Sequence, residues 1–222
     1  MARGWVIAFA SSKGGPGKTT TAIALGVEFA LAGHVVTFLD ADPNRHLESW
    51  GSLHERPRIR VVGGVTEETI LEEIRAASAR SAFVLVDLEG TANNALTYAV
   101  SKADLVIVPA QPSRMDLQEA FRAAALVDRA AAVVERPIRY RILLSKMPVL
   151  PTRAGRHARE QIEREGLPVF RTEFLERTAF REMSFHGQSP SEIEPASNAA
   201  ENVRALAREI LELLNAPNAA AA

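Results

Sequence analysis

Ser11-Ser12-Lys13-Gly14-Gly15-Pro16-Gly17-Lys18-Thr19-Thr20 is the stretch that decides how the rest of the chain is read. An apolar run, Trp5-Val-Ile-Ala-Phe-Ala10, leads into it, and a helical pattern, Thr21-Ala-Ile-Ala-Leu-Gly-Val-Glu-Phe-Ala-Leu31, follows it. Strand, glycine loop and helix is the context in which backbone N–H groups turn inward around a polyphosphate. The helix N-terminus adds partial positive charge at the same point. In such a loop Lys18 reaches the β- and γ-phosphates and the Thr19 hydroxyl ligates Mg²⁺. Gly14, Gly15, Pro16, Gly17 and Thr20 complete the cradle. Two departures stand out. The general pattern wants glycine five residues before Gly17, where this chain has Ser12, and Pro16 gives up one N–H donor. A second lysine, Lys13, stands at the front of the loop.

Composition bounds the rest. The 222 residues are enough for one α/β domain, expected over 1–215, with an Ala-rich tail over 216–222. A hydrophobic content of 47% with 24% charged residues describes a soluble globular protein. No apolar run approaches the ~20 residues of a membrane span, and the first strand follows Met1 too closely for a signal peptide. With no cysteine, disulfides, thiolate metal sites and cysteine-ligated iron–sulfur clusters are excluded. The expected compartment is a reducing cytoplasm. Net charge is −1, but residues 139–181 hold ten Arg or Lys against five Glu, a local +5 that leaves −6 for the remainder.

Further strands are expected at 35–39, 59–62, 82–87, 105–110, 138–144 and, briefly, 168–170. Helices are expected at 44–53, 70–79, 93–100, 115–134, 153–165, 175–183 and 199–214, the third-strand helix being introduced by a capping pattern at Thr66 to Thr69. Strands alternating with helices give an α/β fold: a doubly wound, mostly parallel sheet of about seven strands with helices on both faces. Two strands end in carboxylates, Asp40-Ala41-Asp42-Pro43 after the second and Asp87 after Phe-Val-Leu-Val. Open α/β sheets bind ligands at those carboxyl ends. Asp87 there fits a residue holding Mg²⁺ through water, although an Asp in that place also caps a following loop.

The string Lys-Gly-Gly-x-Gly-Lys-Thr-Thr resembles the deviant phosphate loop (deviant Walker A) of the ParA/MinD family of P-loop ATPases. The resemblance extends over most of the chain, through Asp40-Ala-Asp-Pro-Asn-Arg45 and Val106-Ile-Val-Pro-Ala-Gln-Pro-Ser113 to Asp116-Leu117. It implies ATP and Mg²⁺ as cofactors, and a homodimer in which Lys13 touches the partner's nucleotide. It also implies that Asp42 is tied to the attacking water, that Asp40 lies near Mg²⁺ with Thr19 and Asp87, and that Gly90 senses the γ-phosphate. Adenine is expected near Lys146-Met147-Pro148 and residues 170–172. The guanine-reading string Asn-Lys-x-Asp is absent, which favours ATP.

Within the family the strings resemble small partition ATPases and VirC-like ATPases, and no N-terminal helix-turn-helix domain is expected. This implies nonspecific DNA binding by the ATP dimer, a ParB-like or other adaptor that stimulates hydrolysis, and a nucleoid-associated protein. Arg153, Arg156 and Arg159, spaced by three on one expected helix, are the DNA candidates. A solvated face with Glu160, Glu163 and Glu165 as ion-pair partners is the alternative. Two other kinds of ATPase share such a loop. A MinD-like ATPase ends in a basic amphipathic membrane helix, whereas the last helix here carries acids in its second half. A P-loop metabolite kinase or synthetase leaves Lys13 unexplained.

Overall fold

A computed structural model describes residues 3–11, 13–89 and 94–216. Ser12, Gly90 and its neighbours through 93, and the tail beyond Ala216 lie outside the described residues. The buried apolar runs become strands β1 (Trp5–Phe9), β2 (Val36–Ala41), β3 (Ile59–Val62), β4 (Phe83–Leu88), β5 (Leu105–Ala110), β6 (Arg139–Met147) and β7 (Phe174–Leu175). Every strand pair is parallel, in the order β3-β2-β4-β1-β5-β6-β7. The sheet is therefore doubly wound, and the order reverses between β4 and β5 on either side of β1. That is where an α/β sheet opens a crevice for a ligand.

Alternation along the strands builds two cores. Val6, Ala8, Val84, Val86, Val106 and Val108 face α3 (Ile70–Ser78), α4 (Asn94–Lys102), α5 (Arg114–Val133) and α6 (Arg153–Arg164). Ile7, Phe9, Phe38, Leu85 and Ile107 face the opposite way, toward α1 (Lys18–Leu31), α2 (His46–Gly51), α7 (Thr178–His186) and α9 (Asn198–Asn215). A one-turn helix, α8 (Pro190–Ile193), precedes α9. In α9, Val203, Leu206, Ile210 and Leu214 are spent on the sheet-side core. Among the described residues no helix is long and apolar enough to cross a membrane.

Four local expectations change. After Phe170 the amides of Arg171 and Thr172 bond the Glu209 carboxylate at 2.8 and 2.9 Å. Residues 168–170 thus yield only an isolated bridge, Val169 to Ile142, and the seventh strand forms at Phe174–Leu175. The following helix begins at Thr178 rather than 175. The Thr66 hydroxyl bonds Glu68 instead of capping α3, while Thr69 accepts from the Thr66 amide. Finally, α8 went unread, although Ser189-Pro-Ser-Glu192 is a helix-start pattern and the Ser189 amide donates to Glu192 at 2.8 Å.

Helix α1 lies close on β2 because position 26 is glycine: a Cβ there would run into the Phe38 ring. Gly26→Ala should lower unfolding stability by about 2 kcal/mol in urea titration, overpacking outweighing the helical preference for alanine. An unchanged or raised midpoint would contradict this close approach.

Candidate functional site

The loop between β1 and α1 is shaped by its neighbours. Gly15 and Gly17 adopt φ of +95° and +96°, in the left-handed region that favours glycine, and a Cβ on Gly14 or Gly15 would meet nothing within 4 Å. Three carbonyls are tied down. Ser11 Oγ donates to Lys13 O at 2.7 Å, Gln111 Nε2 to Gly15 O at 3.2 Å, and Ser145 Oγ to Pro16 O at 2.7 Å. Peptide planarity then turns the N–H groups of Gly14 and Gly17 the opposite way. The missing N–H of Pro16 follows a carbonyl that is itself anchored, so the loop keeps its shape at that point.

Lys18 opens α1 and is buried, with Nζ 2.9 Å from Ser11 Oγ and 3.5 Å from Lys13 O. Burial lowers its pKa, opposed by the charges of Asp87, Asp42 and Glu89. Thr19 Oγ1 donates to Asp87 Oδ2 at 2.6 Å. Asp87 is fully buried, its other oxygen has no hydrogen-bond partner among the described residues, and its pKa rises to about 7. Burial is the main cause, with Asp40 beside it in register adding to the rise, against the Thr19 hydrogen bond and the Lys18 charge. A buried acceptor with one unused oxygen next to a threonine hydroxyl suits a cation. Among the described residues no three Asp, Glu or His side chains cluster as a self-sufficient metal site.

Asp40 and Asp42 take different partners. Both Asp40 oxygens accept backbone amides, from Asp42 at 3.2 Å and Glu48 at 2.8 Å. Asp40 therefore pins the turn and the start of α2, and it stands beside Asp87 in register. Asp42 is only half-buried, and its Oδ1 accepts from the Asn44 amide and side chain at 2.8 and 2.9 Å. Lys13 is half exposed, with Nζ 3.4 Å from Asp116 Oδ1 of its own chain. Asp116 is itself fixed at the start of α5 by Ser113.

Beside the loop lies a cavity of about 370 Å³, walled by Pro16, Gly17 and Thr20 on one side and by Lys146, Phe174 and Arg177 on the other. Met147 and Pro148 do not line it. A bulge at Ser145/Met147, with Lys146 at φ +51°, inserts one residue into β6. The slip carries Met147 into the core on the far side of the sheet, near Gly155. Pro148 is exposed in the next loop. Sequence reading missed Phe174, Arg177 and Phe180 of this wall; only the expectation of a short last strand pointed there.

The three arginines of α6 also separate. Arg153 and Arg156 are exposed. Arg159 donates to Phe170 O at 3.0 Å and pairs with Glu173 at 3.0 Å, so it ties α6 to the connection before β7. Each three-residue step falls about 60° short of a full turn, which by Arg159 has rotated the side chain toward the sheet edge.

Fold and loop together define a P-loop ATPase of the ParA and MinD class. A family model described as "VirC1 protein" matches residues 5–216. The chain belongs to the VirC1 family. It is 34% identical over 215 residues to "Protein ParA" of Rhizobium radiobacter, covering 94% of this chain and 97% of that protein. A McdA variant from Cyanothece in complex with ATP superposes with a TM-score of 0.78 at 15% identity, over 95% of this chain and 97% of that one. The septum site-determining protein MinD of Pyrococcus horikoshii, complexed with Mg-ADP, gives 0.77 at 17% identity, over 95% and 97%.

Asp87 carries a pH prediction. Its folded pKa of about 7 exceeds its unfolded value of 3.8, so its contribution favours folding at low pH and is lost as pH rises through 7. Asp87→Asn keeps an acceptor for Thr19 without the buried charge. At pH 8 without nucleotide it should be roughly 2–4 kcal/mol more stable than the parent chain, the gap closing toward pH 5, in urea titrations at both values. Equal stability at pH 8 would contradict the buried charge.

Proposed function

We propose that the chain is an ATP-driven switch: two copies close face to face on ATP and Mg²⁺, bind DNA without sequence preference, and are released when an adaptor protein stimulates hydrolysis. The observation that carries this reading is the set of Lys18, Thr19 and Asp87 gathered at one loop with Lys13 left at its open edge. Bound Mg²⁺ would neutralise charge on the β- and γ-phosphate oxygens. Thr19 and Asp87 are the residues to hold it, and Lys18 sits where the phosphates would end. Asp42, at the half-exposed turn, orients the attacking water more than it removes a proton, since phosphoryl transfer is largely dissociative. The cavity beside Thr20 takes the base. Asp116 holds Lys13 within its own chain at 3.4 Å, an exposed pair worth little, so the lysine is free to exchange it for a phosphate of a facing copy.

DNA contact is assigned to Arg153 and Arg156 on α6, which have no ion pair among the described residues. The cargo would be DNA or a protein assembly carried by the adaptor.

Light scattering with a non-hydrolysable ATP analogue tests the switch. Lys18→Ala should lose nucleotide binding, Lys13→Ala should bind yet stay monomeric, and Asp42→Ala should dimerise while hydrolysing about a hundredfold more slowly. A Lys13→Ala variant that dimerises and turns over normally would overturn it. For DNA, Arg153→Glu with Arg156→Glu should weaken binding and reduce the slope of log K against log salt by about 2. Arg159→Ala should instead lower the melting temperature. Unchanged DNA affinity in the double variant would move the contact elsewhere.

A further inference from the structure

The outer wall of the cavity beside the phosphate loop is a poor structural element by itself. It comprises a two-residue strand, Phe174–Leu175, and the turn through Arg177, joined to β6 across a bulge. Beyond that pairing and the Glu176 amide bond to the Met147 carbonyl at 2.7 Å, its main chain is held from α9. Asn202 accepts from the Leu175 amide at 2.9 Å and donates to the Glu173 carbonyl at 2.8 Å. Glu209 accepts from the amides of Arg171 at 2.8 Å and Thr172 at 2.9 Å. Asn202 and Glu209 are seven residues apart, two helical turns, so they share one face of α9.

The helix is itself a firm platform. Its apolar residues Val203, Leu206 and Ile210, on the flank next to Asn202 and Glu209, are fully buried, and it packs along α1, the helix that begins at Lys18. Glu209 is buried; burial would raise its pKa, but the Arg171 and Thr172 amides hold it below the usual carboxylate range. The brace therefore stays charged at neutral pH. Phe174, the residue between the two clamped peptides, packs against Phe180 with ring centroids 4.5 Å apart and the planes tilted by 36°, and both face the cavity.

We propose that Asn202 and Glu209 are positioning residues for recognition of the nucleotide base: through four main-chain hydrogen bonds, α9 fixes the wall against which the base lies. The proposal rests on the reading that the phosphate loop binds ATP and that this cavity takes its base. Neither side chain touches the nucleotide; both act through the 171–175 main chain. The consequence is specific. Loosening the brace weakens recognition of the base and leaves the phosphate loop, held by Ser11, Gln111 and Ser145, as it was.

Calorimetric titration of the full chain with Mg-ATP and with Mg-tripolyphosphate, which has the phosphates and no base, separates these effects. The parent chain should bind ATP more tightly than tripolyphosphate. Asn202→Ala should lose about tenfold in ATP affinity, the effect of forfeited backbone hydrogen bonds, with tripolyphosphate affinity unchanged. Asn202→Asp, which keeps the acceptor for Leu175 and loses the donor to Glu173, should fall between them; it also serves if the alanine variant does not fold. Either variant weakening both ligands equally, or neither ligand, would overturn the proposal. A parent chain that binds tripolyphosphate as tightly as ATP would also overturn it, with the phosphate-loop reading intact. A parent chain that binds neither removes the nucleotide reading itself, and the proposal with it.

Discussion

Opposite charges held out of water at the carboxyl ends of adjacent parallel strands are the constraint on which this molecule depends. Lys18 and Asp87 are both buried, and each is shifted in pKa by the loss of solvent around it. Burial of this kind is costly unless the charges are paired or shared with a ligand. The neighbouring elements are arranged around that cost. Thr19 satisfies one oxygen of Asp87, Ser11 accepts from Lys18, and the second oxygen of Asp87 is left without a partner. An acceptor without a partner among the described residues is where a cation would be held, and the left-handed glycines beside it leave open space.

The same constraint accounts for the surroundings. Asp40 stands next to Asp87 in register, and its two oxygens accept the amide of Asp42 in the turn and that of Glu48 in α2. One carboxylate is thus used as a fixing pin so that a second can stand at the mouth. On the opposite flank, Ser145 and Gln111 hold the loop carbonyls from β6 and from the end of β5. The β5 and β6 side therefore sets the loop carbonyls, while β4 meets the start of α1 through Asp87 and Thr19, and the crevice at the reversal of strand order becomes a specific shape.

What was legible in the sequence was local. The loop, the carboxylate at the end of Phe-Val-Leu-Val, the alternation of strands with helices and the amphipathic α9 are each written within a dozen residues. The illegible features depend on partners far along the chain. Asp40 takes its role from the Glu48 amide, which is available only once α2 has docked. Met147 leaves the site because of a single inserted residue in β6, a change that hydrophobic patterning does not register. The last strand forms at 174 because Glu209, some forty positions later, captures the amides before it. Arg159 looks like its neighbours by spacing and differs by the carbonyl of Phe170 that it meets. Tertiary capture of main-chain groups links the cases of Asp40, Glu209 and Arg159, and a bulge accounts for Met147.

The Mg²⁺ dependence of ATP binding, measured by calorimetry on the parent chain at pH 8 where Asp87 is ionised, tests the central claim most directly. The account predicts tight binding with the ion present and markedly weaker binding once it is chelated, because Thr19 and Asp87 are then left without the charge they are arranged to share. Equal affinity with and without the ion would contradict it, and would place any triphosphate away from these two residues.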